Sequence, residues 1–318
     1  MPEPLKQTDR SGRIATPLFS VVIPVHNKEP HIRRCMESVH GQAFSDFEIV
    51  VIDDACSDNS MEEVRNYADE RTTILRRDTP GPGGYAARNL GIENASAEWI
   101  AFLDADDEWL PDHLQNMITL MEMFPKSGVL GAGRTFSSGD RDVGVEEYYR
   151  INKEHGNHFL DLDSYLEAYI SGLRPLWTSV ACIRKSVLKQ AGGFPDGKSM
   201  RGGDIDTWLR CIAQSGGMAW SAHIGARYHK DSVNMATKAN LNTAEAERET
   251  VSMLLKKHHG KTARLLKLFA NNRIMKAYKE EKKVNGVAKY SYFRYLYVSM
   301  MPSYIFRKRR KHSVTLDG

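Results

Sequence analysis

The chain lacks the features that mark several large classes of protein. Its four cysteines, Cys35, Cys56, Cys182 and Cys211, are scattered with no C-x-x-C pair. That argues against a zinc site and a disulfide framework, and it fits a reducing cytoplasm. Residues 1–17 are polar, with no apolar core of signal-peptide length, so they read as a loose tail and export by that route is not expected. There is no Ser-His-Asp or activated-cysteine signature, so nothing calls for a covalent nucleophile. The apolar and aromatic stretch 290–306 (YSYFRYLYVSMMPSYIF) is interrupted by Arg294 and Pro302 and is too short and broken to read as a membrane span. What is present is ordinary for a globular chain: 318 residues, 41% hydrophobic and 26% charged, enough for one large core or a main domain with an appendage.

Charge is unevenly placed. The net charge of +4 conceals a C-terminal part, 256–318, with 17 Lys and Arg against 3 Asp and Glu, leaving 27 against 37 in the rest. A basic end of this kind favours an anionic surface. Aromatics at 290–306 followed by Arg307-Lys308-Arg309-Arg310-Lys311 suit an interfacial element on the inner, anionic face of a membrane. A helix packed on the main domain with a solvated basic end is the equal alternative. No nucleic-acid partner is expected, because no recognised module accompanies the charge.

Strand and helix patterns alternate through the first 125 residues. Phe19–Val25 (FSVVIPV) reads as a buried strand, and Ile32, Cys35, Met36 and Val39 follow at helical spacing. Phe47–Asp54 is a second strand, 72–76 a weaker third and 99–104 a fourth; a helix is predicted over Tyr85–Asn94 after the glycines at 81, 83 and 84. Leu110, Leu114, Met117, Ile118 and Met121 then form an amphipathic stripe, with Pro111 in the first helical turn. Four alternations predict an α/β fold, a mostly parallel sheet covered by helices on both faces, with ligands bound beyond the carboxyl ends of the strands. Polar residues stand at those ends: His26 and Asn27, Asp53 and Asp54, and the cluster 104–107. Further on, 173–183 (LRPLWTSVACI) reads as a strand region in which Trp177 either packs in the core or stacks on a ligand.

The cluster within Phe102-Leu103-Asp104-Ala105-Asp106-Asp107-Glu108-Trp109 carries the most chemistry. Crowded carboxylates repel and raise one another's pKa unless a cation or donor groups neutralise them, and a hard divalent metal with phosphate oxygens is a natural occupant. The plainer alternative is a solvated acidic turn capping the next helix.

Several segments, in order, resemble the motifs of family 2 glycosyltransferases of the GT-A fold. VVIPVHNKE is similar to the family's first strand and loop, VVIDDACSDNS to its V-D-D-G-S-x-D turn, and GGYAARNLGI to its G-x-x-x-A-R-N-x-G helix start. FLDADDEWLPDHL resembles the D-x-D segment, GGFPDGKSMRGGDIDTWLR the stretch that leads into a G-E-D-x-D-L-W-x-R helix, and ARYHKDS an R-x-H-x-x-S segment. Ala55 and Cys56 stand where Gly-Ser is usual, His26 where Tyr is commoner, and Gly203 where Glu often precedes the catalytic Asp. The resemblance runs from about residue 19 to 235 and implies a tail at 1–17, a glycosyltransferase domain at 18–236 and a basic helical extension at 237–318.

The roles that follow are those the resemblance implies. Pro24, Val25, His26 and Glu29 line the base and ribose of a nucleotide-sugar donor, and Asp54, with Asp53, meets the base edge. Arg88 lies near the pyrophosphate or holds the acidic cluster. Asp104 and Ala105 face donor hydroxyls, Asp106 binds Mn2+ or Mg2+, and His229 is a further metal ligand. Asp204 is the catalytic base, with Asp206 the other candidate. The implied reaction is an inverting, metal-dependent transfer from a nucleotide diphosphate sugar, a UDP-sugar, to a hydroxyl of a saccharide or lipid-linked saccharide in polysaccharide or glycolipid synthesis. A nucleotidyltransferase and a non-catalytic nucleotide-sugar binding protein are the alternatives. A receiver-like phosphoacceptor module is disfavoured by chain length and by the Asp204 region.

Overall fold

A computed structural model describes residues 16–139, 141–198, 202–233, 244–286 and 294–300. The expected tail therefore lies outside the described residues except for 16 and 17. Among the described residues ten strands form one sheet: β1 Phe19–Val25, β2 Phe47–Asp54, β3 Thr72–Arg77, β4 Trp99–Phe102, β5 Glu108–Trp109, β6 Val129–Ser138, β7 Arg141–Val145, β8 His158–Asp161, β9 Cys182–Arg184 and β10 Gly217–His229. Their main order is β3-β2-β1-β4-β9-β6-β10-β5, with β7 beside β6 and β8 beside β10. β3, β2, β1 and β4 run parallel, as do β6 and β10; β9 is antiparallel to both β4 and β6.

The helices are α1 Glu29–His40, α2 Ser60–Tyr67, α3 Tyr85–Asn94, α4 His113–Met123, α5 Glu147–Asn152, α6 Leu162–Ile170, α7 Lys185–Gln190, α8 Gly203–Ser215, α9 Ala244–Leu254 and α10 Gly260–Asn285. Two sequence expectations shift. The fourth strand stops at Phe102 and the following helix begins only at His113, so Asp107 lies in the intervening segment and does not start a helix. The region 173–183 contains a 3-10 turn, Thr178–Val180, and only the beginning of β9.

Alternation along β1 explains the layering. Val21, Ile23 and Val25 pack with Ile32, Cys35, Met36 and Leu114 on one face, whereas Val22 joins Ile52, Phe102 and Trp208 on the other. This is the period-two pattern of a strand covered on both sides. On the second face α3 lies very close to the sheet, because a Cβ on Gly91 would stand 2.5 Å from a Val22 methyl. The C-terminal helices share that core: Leu266, Phe269 and Ile274 of α10 are fully buried, and the Phe269 ring centroid is 4.6 Å from that of Tyr169. Burying each such side chain stabilises by about 1.5–3 kcal/mol.

The parallel order makes the strand ends converge. The chain builds outward from β1 through β2 to β3, then returns to place β4 on the other side of β1. A crevice opens where strand order reverses in this way. The residues after β1, β2 and β4 border it.

One core residue is chemically discordant. His113 is fully buried against the Trp109 ring, at a centroid distance of 4.7 Å, and neither of its ring nitrogens has a hydrogen-bond partner. Burial pushes its pKa down to about 3. The folded protein holds this imidazole neutral while the unfolded chain protonates it near pH 6.5, so the unfolded state binds more protons between those values and stability is lost as pH falls through that window. His113→Phe is expected to flatten this loss, by roughly 3 kcal/mol at pH 4.5 relative to pH 7.5. Urea unfolding of both proteins at the two pH values measures it.

Candidate active site

The ends of β1 and β2 form the first part of the site. Asn27 and Ala55 both adopt positive φ, 51° and 57°, turning the chain sharply beyond the strands. His26 Nδ1 donates to the Asp54 carbonyl at 2.7 Å, and Asn27 Oδ1 accepts from the Ser57 amide at 2.8 Å, so the two turns brace each other. Glu29 accepts from the Asn59 amide and side chain, each at 3.2 Å. Asp53 accepts from the Cys56 amide at 2.8 Å. Asp54 is buried, ion-paired with Arg77, and accepts from the Gly81 amide at 3.3 Å, which anchors the glycine loop ahead of α3. Cys56 fills the turn with a thiol that burial pushes up to about 12, leaving it inert as a nucleophile.

The acidic segment after β4 is the second part, and each carboxylate has its own partner. Arg88, reaching from α3, donates to Asp104 Oδ1 at 2.5 Å and to the Gly83 carbonyl at 2.7 Å. Asp106 accepts from Lys28 Nζ at 2.7 Å, and its carbonyl accepts from Arg34 at 2.8 Å. Asp107 is buried and accepts from the Ser179 hydroxyl at 2.5 Å. Burial, added to by repulsion from Asp106 and Asp104, holds its carboxyl well above the usual carboxylate range. Glu108 pairs with Arg227 across the β5–β10 contact. His229, at the end of β10, is buried with Nδ1 3.1 Å from the Ser137 hydroxyl; its Nε2 faces Glu108 at 3.7 Å and has no hydrogen-bond partner. Among the described residues no group of three or more His, Cys, Asp or Glu is arranged to hold a metal by itself.

The third part is the start of α8. Gly202 has φ 77°, and the Gly203 amide donates to the Tyr85 hydroxyl at 2.8 Å. A Cβ on Gly203 would meet both the Tyr85 ring and Pro195 at 2.7 Å, so this chain has no room for a side chain ahead of Asp204. Asp204 is half-buried and makes no ion pair among the described residues. Asp206 is different: Arg210 donates to it at 2.7 and 3.0 Å, and Thr250 of α9 donates to its other oxygen. Arg273 of α10 braces the same turn, donating to the Gly202 carbonyl at 3.2 Å and to the Tyr169 hydroxyl at 2.9 Å while pairing with the buried Glu247 of α9.

Of the residues singled out in the sequence, Arg88, Asp104 and Asp204 line one cavity of about 210 Å³ beyond β4. Pro24, Val25, His26, Glu29, Asp53 and Asp54 sit at the adjoining β1 and β2 ends; Ala105 is buried, and Asp106 and His229 face Lys28 and Glu108. The cavity also draws in Tyr85, Asp107, Arg134, Arg174, Trp177, Ser179 and Arg273, to which sequence reasoning gave no site role except for the alternative left open at Trp177. A usable signal existed for one of them. Arg134 is the single cation in an otherwise small and apolar strand, VLGAGRTF, and a charge there needs a reason.

Comparison with known proteins agrees with this architecture. The family description "Glycosyl transferase family 2" matches residues 20–169, and "Glycosyl transferase family group 2" matches residues 99–246. The succinoglycan biosynthesis protein ExoW of Rhizobium meliloti is 44% identical over 112 residues, covering 33% of this chain and 34% of that protein. The Escherichia coli UDP-Glc:alpha-D-GlcNAc-diphosphoundecaprenol beta-1,3-glucosyltransferase WfgD is 36% identical over 104 residues, 33% of this chain and 41% of that one. The matches thus span well under half the length of these curated relatives. Staphylococcus aureus TarS, solved with UDP-GlcNAc, superposes with a TM-score of 0.71 at 19% identity over 91% of this chain and 79% of that one. The mannosyltransferase PcManGT of Pyrobaculum calidifontis, solved with GDP-Man and Mn2+, gives 0.56 at 16% identity over 95% and 89%. These two likenesses bear on fold, which is the GT-A type. Overlapping family matches from residue 20 to 246, on a sheet of that topology with the motifs along one crevice, assign the chain: it belongs to glycosyltransferase family 2.

Proposed function

We propose that this protein transfers a sugar from a nucleotide diphosphate sugar, a UDP-sugar, to a hydroxyl of a saccharide or lipid-linked saccharide in surface polysaccharide or glycolipid assembly. Support comes from the names of its relatives and from the nucleotide sugars bound in TarS and PcManGT. The observation that carries the reading is the contrast between Asp204 and Asp206. Asp204 lines the cavity beside Arg88 and Asp104 without an ion pair among the described residues, whereas both oxygens of Asp206 are bonded within the protein.

In this reading the nucleotide lies along the β1 and β2 ends, against Pro24, Val25, His26 and Glu29, with Asp53 and Asp54 at the base edge. Asp54 also holds the Gly81 loop by accepting from the Gly81 amide, so it fixes the wall against which the base rests. Arg88 keeps Asp104 orientated toward donor hydroxyls, with Ala105 beside it. An acceptor hydroxyl in the cavity gives its proton to the Asp204 carboxylate as its oxygen attacks the anomeric carbon. The bond from that carbon to the donor phosphate oxygen breaks with inversion, and the nucleotide diphosphate takes the electron pair.

The residues fit a divalent ion that arrives with the donor's phosphates, since Mg2+ and Mn2+ commonly use one or two carboxylates plus substrate oxygens. Asp106 would hold it, with His229 the further ligand from β10; the ion pair of Asp106 with the Lys28 ammonium supports a cation at this carboxylate. When bound, the ion neutralises the charge that develops on the leaving diphosphate. Work at the inner face of the membrane belongs to the same proposal, supported by the basic run 307–311. That run lies outside the described residues, as does the expected interfacial stretch 290–312 apart from 294–300. There Leu296 is buried and Asn271 Nδ2 donates to the Tyr297 carbonyl at 3.0 Å. No described helix is long and apolar enough to cross a membrane.

A screen of nucleotide sugars with Mn2+ and Mg2+, reading donor hydrolysis and thermal stabilisation, tests the donor class. Asp204→Asn is expected to lower transfer by about 10²–10⁴-fold with donor binding and melting temperature retained. Asp206→Ala, by removing one partner of a buried pair, is expected to cost about 3–5 kcal/mol of stability instead. Undiminished transfer by Asp204→Asn would remove it as the base. For the metal, Asp106→Ala should abolish the gain in UDP affinity that Mn2+ gives over EDTA while leaving metal-free binding in place. Calorimetry with and without Mn2+ reads the difference, and an unchanged gain sinks the assignment.

A further inference from the structure

Arg134 is a costly residue to bury in this cavity. It is 8% exposed, its Nε is buried without a partner, and among the described residues its guanidinium makes no ion pair or hydrogen bond. Its neighbours are rings instead: the guanidinium carbon lies 3.4 Å from the centroid of Trp177, 4.6 Å from Tyr228 and 5.1 Å from Phe136. Burial pulls its pKa down to about 10, so it remains charged at neutral pH. Contact with aromatic faces offsets only part of the desolvation of a buried cation.

A second cation stands beside it. Arg174 is half-buried, 5.1 Å from the same Trp177 ring and 5.7 Å from Tyr169, and it too lacks a carboxylate among the described residues. Two guanidinium groups gathered around one indole repel each other. The remaining charges relieve Arg134 only in part: Asp107 and Glu146 attract its guanidinium without bonding to it. Arg88 is matched by Asp104 and Arg273 by Glu247. Asp107 is bonded to Ser179, and Asp204 is paired with neither arginine. A neutral sugar in this chamber would leave both guanidinium groups without a bonded anion.

We propose that Arg134 and Arg174, on the Trp177 side of the cavity, form an oxyanion subsite that holds a phosphate or carboxylate group of the acceptor. The acceptor is then an acidic or phosphate-bearing saccharide. Guanidinium suits this task because its planar fork donates two parallel hydrogen bonds to either anion. The aromatic box fixes the plane of Arg134 before the ligand arrives, so little freedom is lost on binding. The proposal rests on reading the cavity as the acceptor chamber of a sugar transferase.

The test uses the full chain saturated with UDP and Mn2+, so that the donor place is filled. Sodium phosphate, sodium glucuronate and, as a neutral control, glucose are titrated at constant ionic strength held with sodium chloride. Tryptophan fluorescence, which Trp177 dominates if a Trp177→Phe variant loses the change, reports occupancy. Saturable binding of phosphate, glucuronate or both, absent for glucose and weakened at least tenfold by Arg174→Gln and by Arg134→Gln, is the expected result. Phosphate alone identifies a phosphate-linked acceptor, and glucuronate alone a uronic acid. Because Arg174 is half-exposed, its variant folds even where Arg134→Gln does not, and it alone decides. Binding of neither anion, equal binding by Arg174→Gln, or phosphate binding that disappears once UDP is added overturns the proposal. Failure of the donor reading shows separately, as an absence of UDP binding, and the same anion titration without UDP still reads the subsite.

Discussion

Four carboxylates within five residues, Asp104, Asp106, Asp107 and Glu108, follow directly on a strand with no exposure on either face. Such a group cannot remain charged and close together without separate compensation. The compensation comes from four different parts of the chain: Arg88 on α3, Lys28 between β1 and α1, Ser179 on the 3-10 turn before β9, and Arg227 on β10. Each partner is far from the cluster in sequence except Arg88. Neutralising the cluster therefore also fixes how the two ends of the sheet and the crevice between them are arranged, and the chemistry of the site and the assembly of the fold become one electrostatic problem.

The C-terminal helices belong to the same arrangement. In sequence their basic composition looks like a separate statement, directed outward. In the folded protein α9 and α10 are tied to the turn that presents Asp204, through Thr250 on Asp206 and through Arg273 on Gly202, Tyr169 and Glu247. Part of the positive charge is thus used inside. The geometry of the turn before α8 depends on residues 40–70 positions downstream.

Much of the frame was legible because it depends on local patterns. Alternating apolar strands and 3.6-period helices mark β1, β2, α1 and α3 directly, and the parallel order brings their polar ends to one rim. Partnership was less legible. Nothing in the spacing of Asp204 and Asp206 distinguishes them, since the difference lies in Arg210 and Thr250. Lys28 stands inside a recognisable segment, yet its bond to Asp106 bridges 78 positions. Arg134 reads as an anomaly in a small-residue strand, but the rings that surround it come from Phe136, Trp177 and Tyr228, which only the folded sheet brings together. Boundaries such as the late start of α4 escaped because the apolar stripe begins before the hydrogen-bonded helix does.

The absence of space at Gly203 has a bearing on how this sequence can change over time. Tyr85 fills the volume in front of Asp204 and bonds the backbone there, so positions 85 and 203, separated by 118 residues, form a single mechanical unit. A side chain can enter at 203 only if the ring at 85 shrinks in the same step, and either change alone is a collision or a void. The two positions should drift together or not at all, so a lineage that carries an acid ahead of the aspartate at 204 would have crossed to it through a paired replacement.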